Sequence, residues 1–198
     1  MKRKFIAFAL LLSGLLMGGC AKAPQAEIDA TNAAIENAQL AEANIYLPEA
    51  FAALQDSMNV INVAIETQKS KMFGSYTAIK EKLGLVQAKA IEVENNSIAK
   101  KEQLTNEVND LYTQLLAMAA ENNELVNKAP KGKEGKAAIE AIKSELSVIE
   151  TEVSALPQLL ESGNILDAHA KALAAEEKAQ SINSELKAVI EKYSQKRK

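Results

Sequence analysis

The two side chains with the most distinctive chemistry occur once each: Cys20 is the only thiol and His169 the only imidazole among 198 residues. A lone cysteine excludes a disulfide within one chain. A structural or catalytic metal requires several His, Cys or carboxylate ligands converging on one point. His169 has no second histidine and flanks a run of alanines, which reads as a solvated or edge position. Gly132-Lys133-Glu134-Gly135 superficially suggests a phosphate cradle, but such a loop needs four residues between its glycines and a strand before them. Here there are two, after a helical stretch, so the segment reads as an exposed turn. Carboxylates are plentiful, yet no spacing singles out a pair. The expectation is a non-enzyme with no metal and no cofactor.

What distinguishes Cys20 is its position. Lys2-Arg3-Lys4 is followed by an apolar run from Phe5 to Met17, broken only by Ser13 and Gly14, and then by Gly18-Gly19-Cys20. A basic start, an apolar middle and a small-residue exit are the order of a secretory signal. As a helix, Phe5 to Gly19 is about 22 Å long, short of a bilayer core of roughly 30 Å. The segment resembles the lipobox signal of bacterial lipoproteins, with Met17, Gly18 and Gly19 preceding the cysteine. That resemblance implies cleavage before Cys20, acylation of its sulfur and new amino group, and a membrane partner held through the lipid. Two or more acyl chains, at about 0.8 kcal/mol per buried methylene, anchor stably. Ala21 is not the Asp that marks inner-membrane retention in lipoproteins of the enteric type, so the resemblance points to the outer membrane, facing the periplasm.

Three of the 23 basic residues precede Cys20 and none of the 26 acidic ones does, leaving the remainder at −6. Mild acidity argues against nucleic acid as a partner. The last residues, Lys192-Tyr193-Ser194-Gln195-Lys196-Arg197-Lys198, place cations at a helix C-terminus, as the macrodipole favours. Lys196, Arg197 and Lys198 are the candidate contact with an anionic surface or the cell wall. The ending is similar to that of the small murein-linked outer-membrane lipoprotein, which implies peptidoglycan as a partner through Lys198; Ser194-Gln195 departs from that pattern.

These groups sit on a chain rich in Ala, Glu, Lys, Leu and Asn and poor in Gly, Pro and aromatics, a helix-forming composition. The spacing predicts a helix over 25–46 (Ile28, Ile35, Ala38, Ile45) and a second after Pro48 (Phe51, Leu54, Met58, Ile61, Ile65, Met72). A long third helix is predicted over 75–127, about 80 Å. Its seam runs Ile79, Leu83, Val86, Ala90, Val93, Ser97, Lys100, Leu104, Val108, Leu111, Leu115, Met118, Asn122, Leu125. Consecutive steps of four at 100, 104 and 108 form a stutter, which locally unwinds a supercoil. After the break at Pro130-Lys131-Gly132, a seam from Ile142 through Leu146, Ile149, Val153 and Leu156 to Leu160 is predicted, kinked near Leu156 by Pro157. Ala168, Ala172, Ala175, Ala179, Ile182, Leu186, Val189 and Tyr193 form the last seam.

Residues 41–51, with the Tyr46-Leu47-Pro48 turn, resemble the opening motif of uncharacterised alanine-rich helical envelope lipoproteins. Ser162-Gly163-Asn164-Ile165 and the alanines after it are similar to the second half of a tetratricopeptide unit. The fold expected is all-α: an elongated antiparallel helical bundle or coiled coil of two three-helix sub-bundles sharing the long central helix. The expected organisation is a signal peptide at 1–19, anchor and linker at 20–24, and sub-bundles at 25–100 and 101–198. The function expected is a membrane-anchored helical scaffold, spacer or adaptor of the cell envelope, partnering peptidoglycan or another envelope protein and compatible with an oligomer. The alternative is a periplasmic client- or ligand-binding lipoprotein, which a contiguous exposed apolar patch would favour.

Overall fold

A computed structural model describes residues 22–130 and 133–195. Its regular structure is entirely helical: α1 (Gln25–Leu40), α2 (Ala43–Tyr46), α3 (Pro48–Lys69), α4 (Thr77–Lys128), α5 (Lys133–Ser154), α6 (Leu156–Glu161) and α7 (Ile165–Gln195). The chain divides into two compact units, Met1–Ile98 and Ala99–Lys198, and α4 contributes to both.

In the first unit, Phe51, Leu54, Met58, Ile61 and Ile65 of α3 meet Ile79, Leu83, Val86, Ala90 and Val93 of α4. The face that α1 buries is made of small residues, Thr31, Ala34 and Ala38, so its backbone comes close. Thr31 Oγ1 lies 3.2 Å from the Leu83 carbonyl oxygen on α4, while also reaching the Glu27 carbonyl of its own helix at 2.8 Å.

The predicted helix over 25–46 does not run through. It ends at Leu40, and Glu42 adopts the left-handed region at φ 60°, which costs a non-glycine residue about 1–2 kcal/mol. Ser97 Oγ on α4 donates to the freed carbonyl of Ala41 at 2.7 Å, fixing the turn from the opposite helix. The break changes the helical phase, so that Tyr46 is buried and Ile45, predicted inward, is exposed. Pro48 opens α3 at a position that needs no amide hydrogen.

At its other end α3 stops at Lys69. A Cβ on Gly74 would stand 2.5 Å from the Gln68 carbonyl oxygen. Only glycine lets the turn fold back this closely on α3. Met72, predicted to continue the stripe, lies in this turn and is exposed, and Tyr76 takes the buried place.

The second unit joins Leu104, Val108, Leu115 and Val126 of α4 to Ile142, Leu146, Ile149 and Val153 of α5 and to the alanine seam of α7. The Pro157 kink is where the spacing predicts it: α5 ends at Ser154 and Pro157 falls in the first turn of α6. That helix closes with Gly163 N–H donating to the Leu160 carbonyl at 3.0 Å and Asn164 N–H to that of Leu159 at 2.9 Å. Gly163 supplies the required left-handed residue at φ 79°. Near the end of α7 the seam departs from the predicted spacing. Val189 and Tyr193 are exposed and Ile190 packs on the core, because two steps of four from Ile182 through Leu186 rotate the inward face.

Two glycines give opposite expectations. Gly84 is an exposed mid-helix residue with nothing near its missing Cβ, whereas Gly163 has equal space but positive φ. Gly84→Ala should stabilise the first unit by about 0.5–1 kcal/mol. Gly163→Ala should destabilise the second by about 1–2 kcal/mol. Urea unfolding of the two variants checks both signs.

Candidate functional site

Among the described residues, buried polar side chains are Thr31, Ser97 and Asn122. Asn122 sits at the centre of the largest polar constellation, on the parallel α4–α7 interface. Its seam position points it into the second unit's core, where it is fully buried. Nδ2 donates to the Ala179 carbonyl at 2.9 Å, and Oδ1 accepts from Asn183 Nδ2 at 2.8 Å. Further polar pairs continue the line along the same two helices. Lys187 Nζ lies 2.8 Å from Glu121, and His169 Nε2 lies 2.9 Å from Glu107.

The electrostatics follow from these contacts. The Lys187 hydrogen bond, reinforced by Asn183, holds the Glu121 carboxyl below its ordinary value, against the opposing effect of desolvation. Glu107 is likewise lowered, mainly by a hydrogen bond from Gln103 and then by His169, again against desolvation. In the first unit Lys80, 2.7 Å away, lowers Glu27 and ties α1 to α4.

Chemically, a histidine against a carboxylate is the base-and-orienter part of a nucleophilic triad. Here both partners lie on the flank of a helix interface and join its two helices. Among the described residues no group of three His, Cys, Asp or Glu side chains is placed to hold a metal ion. The concave surfaces are shallow. One groove between α3 and α4, about 360 Å³, is lined by Asp56, Val60, Ile61, Lys82, Leu85 and Val86. Another, about 340 Å³, lies on the second unit beside Val148, Ile149 and Lys178.

The residues singled out in the sequence fall differently. Met17, Gly18, Gly19 and Cys20 lie outside the described residues, as do Lys196, Arg197 and Lys198 and Gly132 of the glycine turn. His169 is paired as above. Periodicity placed Asn122 in the seam but gave it no partner. Asn183, one residue after the inward Ile182, was the signal that could have supplied one. No helix among the described residues is long and apolar enough to cross a membrane. Comparison of the chain with protein-family models, with curated proteins and with solved structures finds no match.

Asn122→Ala removes the bonds to the Ala179 carbonyl and to Asn183 and opens a void, and should cost about 1–3 kcal/mol in chemical unfolding. Asn122→Leu restores apolar volume and should be near neutral or stabilising, while broadening side-chain NMR signals along α4 and α7 as their register loosens.

Acid should weaken both units. Glu27, Glu107 and Glu121 all sit below the ordinary 4.5 when folded. The stability they contribute is therefore complete above that value and is lost as pH falls from there through the lowered ones. Unfolding midpoints across that range should fall, and Glu121→Gln should flatten the decline in the second unit.

Proposed function

We propose that the chain is an envelope lipoprotein, held on a membrane by acyl chains on Cys20, whose helical body is a non-catalytic scaffold, spacer or adaptor. The observation that carries the reading is the order basic Lys2-Arg3-Lys4, apolar Phe5 to Met17, then Gly18-Gly19-Cys20, directly before a helical body. The polar groups of that body support it. Asn122 and Asn183 are consumed in joining α4 to α7, and so is the sole histidine.

Ala21 after the cysteine favours the outer membrane, with the body in the periplasm. Lys196, Arg197 and Lys198 are the proposed contact with peptidoglycan or another envelope partner. A specific observation favours a second reading, capture of an apolar ligand or client: Val60 and Leu85 are exposed along the α3–α4 groove.

Cys20→Ala tests the anchor, since no other thiol competes for acylation. The variant should leave the membrane fraction or persist as an uncut precursor. Unchanged processing together with unchanged membrane retention would refute lipidation.

A further inference from the structure

Within the first unit three contacts fix which end the described chain starts from. Glu27 pairs with Lys80, Thr31 reaches Leu83, and Ala41 accepts from Ser97. α1 therefore runs parallel to α4, and Lys22, Ala23 and Pro24 lie level with the start of α4. The α3–α4 turn, residues 70–76, lies at that same end. Ala23 packs against the unit's core, which keeps the chain close to the bundle there. Two residues span at most about 7 Å, so Cys20 cannot be far from this end of the unit.

The turn at this end is unusually apolar outward. Met72 is 85% exposed and Phe73 93%. They are adjacent and large, unlike the singly scattered apolar residues that any surface carries. Their direction is imposed by packing. Gly74 folds back on the Gln68 carbonyl, the Ser75 amide points to Gln68 Oε1 at 3.3 Å, and the buried Tyr76 occupies the core site. Residues 22–24 and 70–76 together contain Lys22 and Lys71 and no carboxylate. Of the acids beyond these segments, Glu66 pairs with Lys69 and Glu27 with Lys80, both at 2.7 Å, and Glu81 lies further along α4.

Apolar side chains at a tip, flanked by lysines and free of acids, match the interfacial layer of a bilayer. The rings and thioethers enter the acyl boundary while ammonium groups stay at the headgroups. We infer that the α3–α4 turn is a second membrane contact, inserting Met72 and Phe73 into the bilayer that holds the acyl chains of Cys20. The inference rests on acylation of Cys20, because that modification is what brings this end to a membrane. An acyl tether alone leaves a body free to swivel; a tip beside it restricts the tilt of the first unit.

The chain contains no tryptophan, so one can be introduced as a reporter. The full acylated chain carrying Phe73→Trp is reconstituted into vesicles of phosphatidylethanolamine and phosphatidylglycerol, with and without brominated acyl chains. A matching Leu40→Trp chain serves as control, since Leu40 is exposed at the far end of α1. The expected result is blue-shifted emission from Phe73→Trp that falls by about twofold or more with brominated lipid, while Leu40→Trp is unaffected. Vesicle-bound protein in which neither reporter is quenched overturns the tip and leaves the anchor standing. A blue shift without quenching also overturns it, placing the turn against protein. Protein that does not float with the vesicles overturns the anchor itself, and the tip with it.

Discussion

Both units are organised on the inward face of α4, whose buried or half-buried positions recur every three or four residues from Ile79 to Val126. A helix of 52 residues cannot hold its length in water on propensity alone. It depends on neighbours that cover one face, and they depend on it in turn. α1 and α3 cover the first part of the seam, α5 and α7 the second. At 97, 100, 104 and 108 the seam changes character, passing through a buried serine, a half-buried lysine and two steps of four. A stutter rotates the inward face relative to the turns before it.

Within these seams, small residues set how close the helices come, and buried polar groups set which residues meet. Alanine and threonine on α1, and alanine at 168, 172, 175 and 179 on α7, let backbones approach closely enough for side chains to reach carbonyls on the next helix. Thr31 against Leu83, Ser97 against Ala41 and Asn122 against Ala179 are contacts of that kind. A slip of one turn would break all three; Thr31 keeps the Glu27 carbonyl of its own helix, but a buried amide such as that of Asn122 left unsatisfied costs roughly 1–3 kcal/mol. Leucine and valine fill space in several registers almost equally well. The three polar contacts do not.

The seams were legible in the sequence because a 3–4 spacing has one physical meaning, a single covered face. Every buried seam residue of α4 from Ile79 through Val108 is a position that spacing picks out. What was illegible is set by contacts distant in the chain. Ala41 and Glu42 carry no glycine or proline to announce a break, and the partner that holds the turn, Ser97, is 56 residues away. Met72 fits the stripe of α3 by spacing, yet Gly74 needs the helix to end before it. Ile190 displaces Val189 by a local change of phase that two apolar neighbours leave ambiguous. For the candidate site, the anchor motif is read from residue order alone. The Asn122 network required knowing that α4 and α7 lie side by side.

Several of the remaining ion pairs are local. Lys69 with Glu66, Lys89 with Glu92, Lys143 with Glu140 and Lys171 with Asp167 are pairs within one helix, three or four residues apart. Such exposed pairs contribute a few tenths of a kcal/mol each and keep the outer faces soluble. They carry little information for a partner, because similar pairs recur along every long helix. Other surface features are ones that the bundle does not repeat. The α3–α4 turn is one, with two adjacent apolar side chains turned outward and no acid among its residues. The α3–α4 groove is another, where Val60 and Leu85 interrupt an otherwise charged surface between Asp56 and Lys82. Both lie on the first unit, the one that follows Cys20. In this body the seams fix the helices, the outer faces carry the local charge pairs, and these exposed apolar side chains stand where the helical repeat is broken or along the α3–α4 groove.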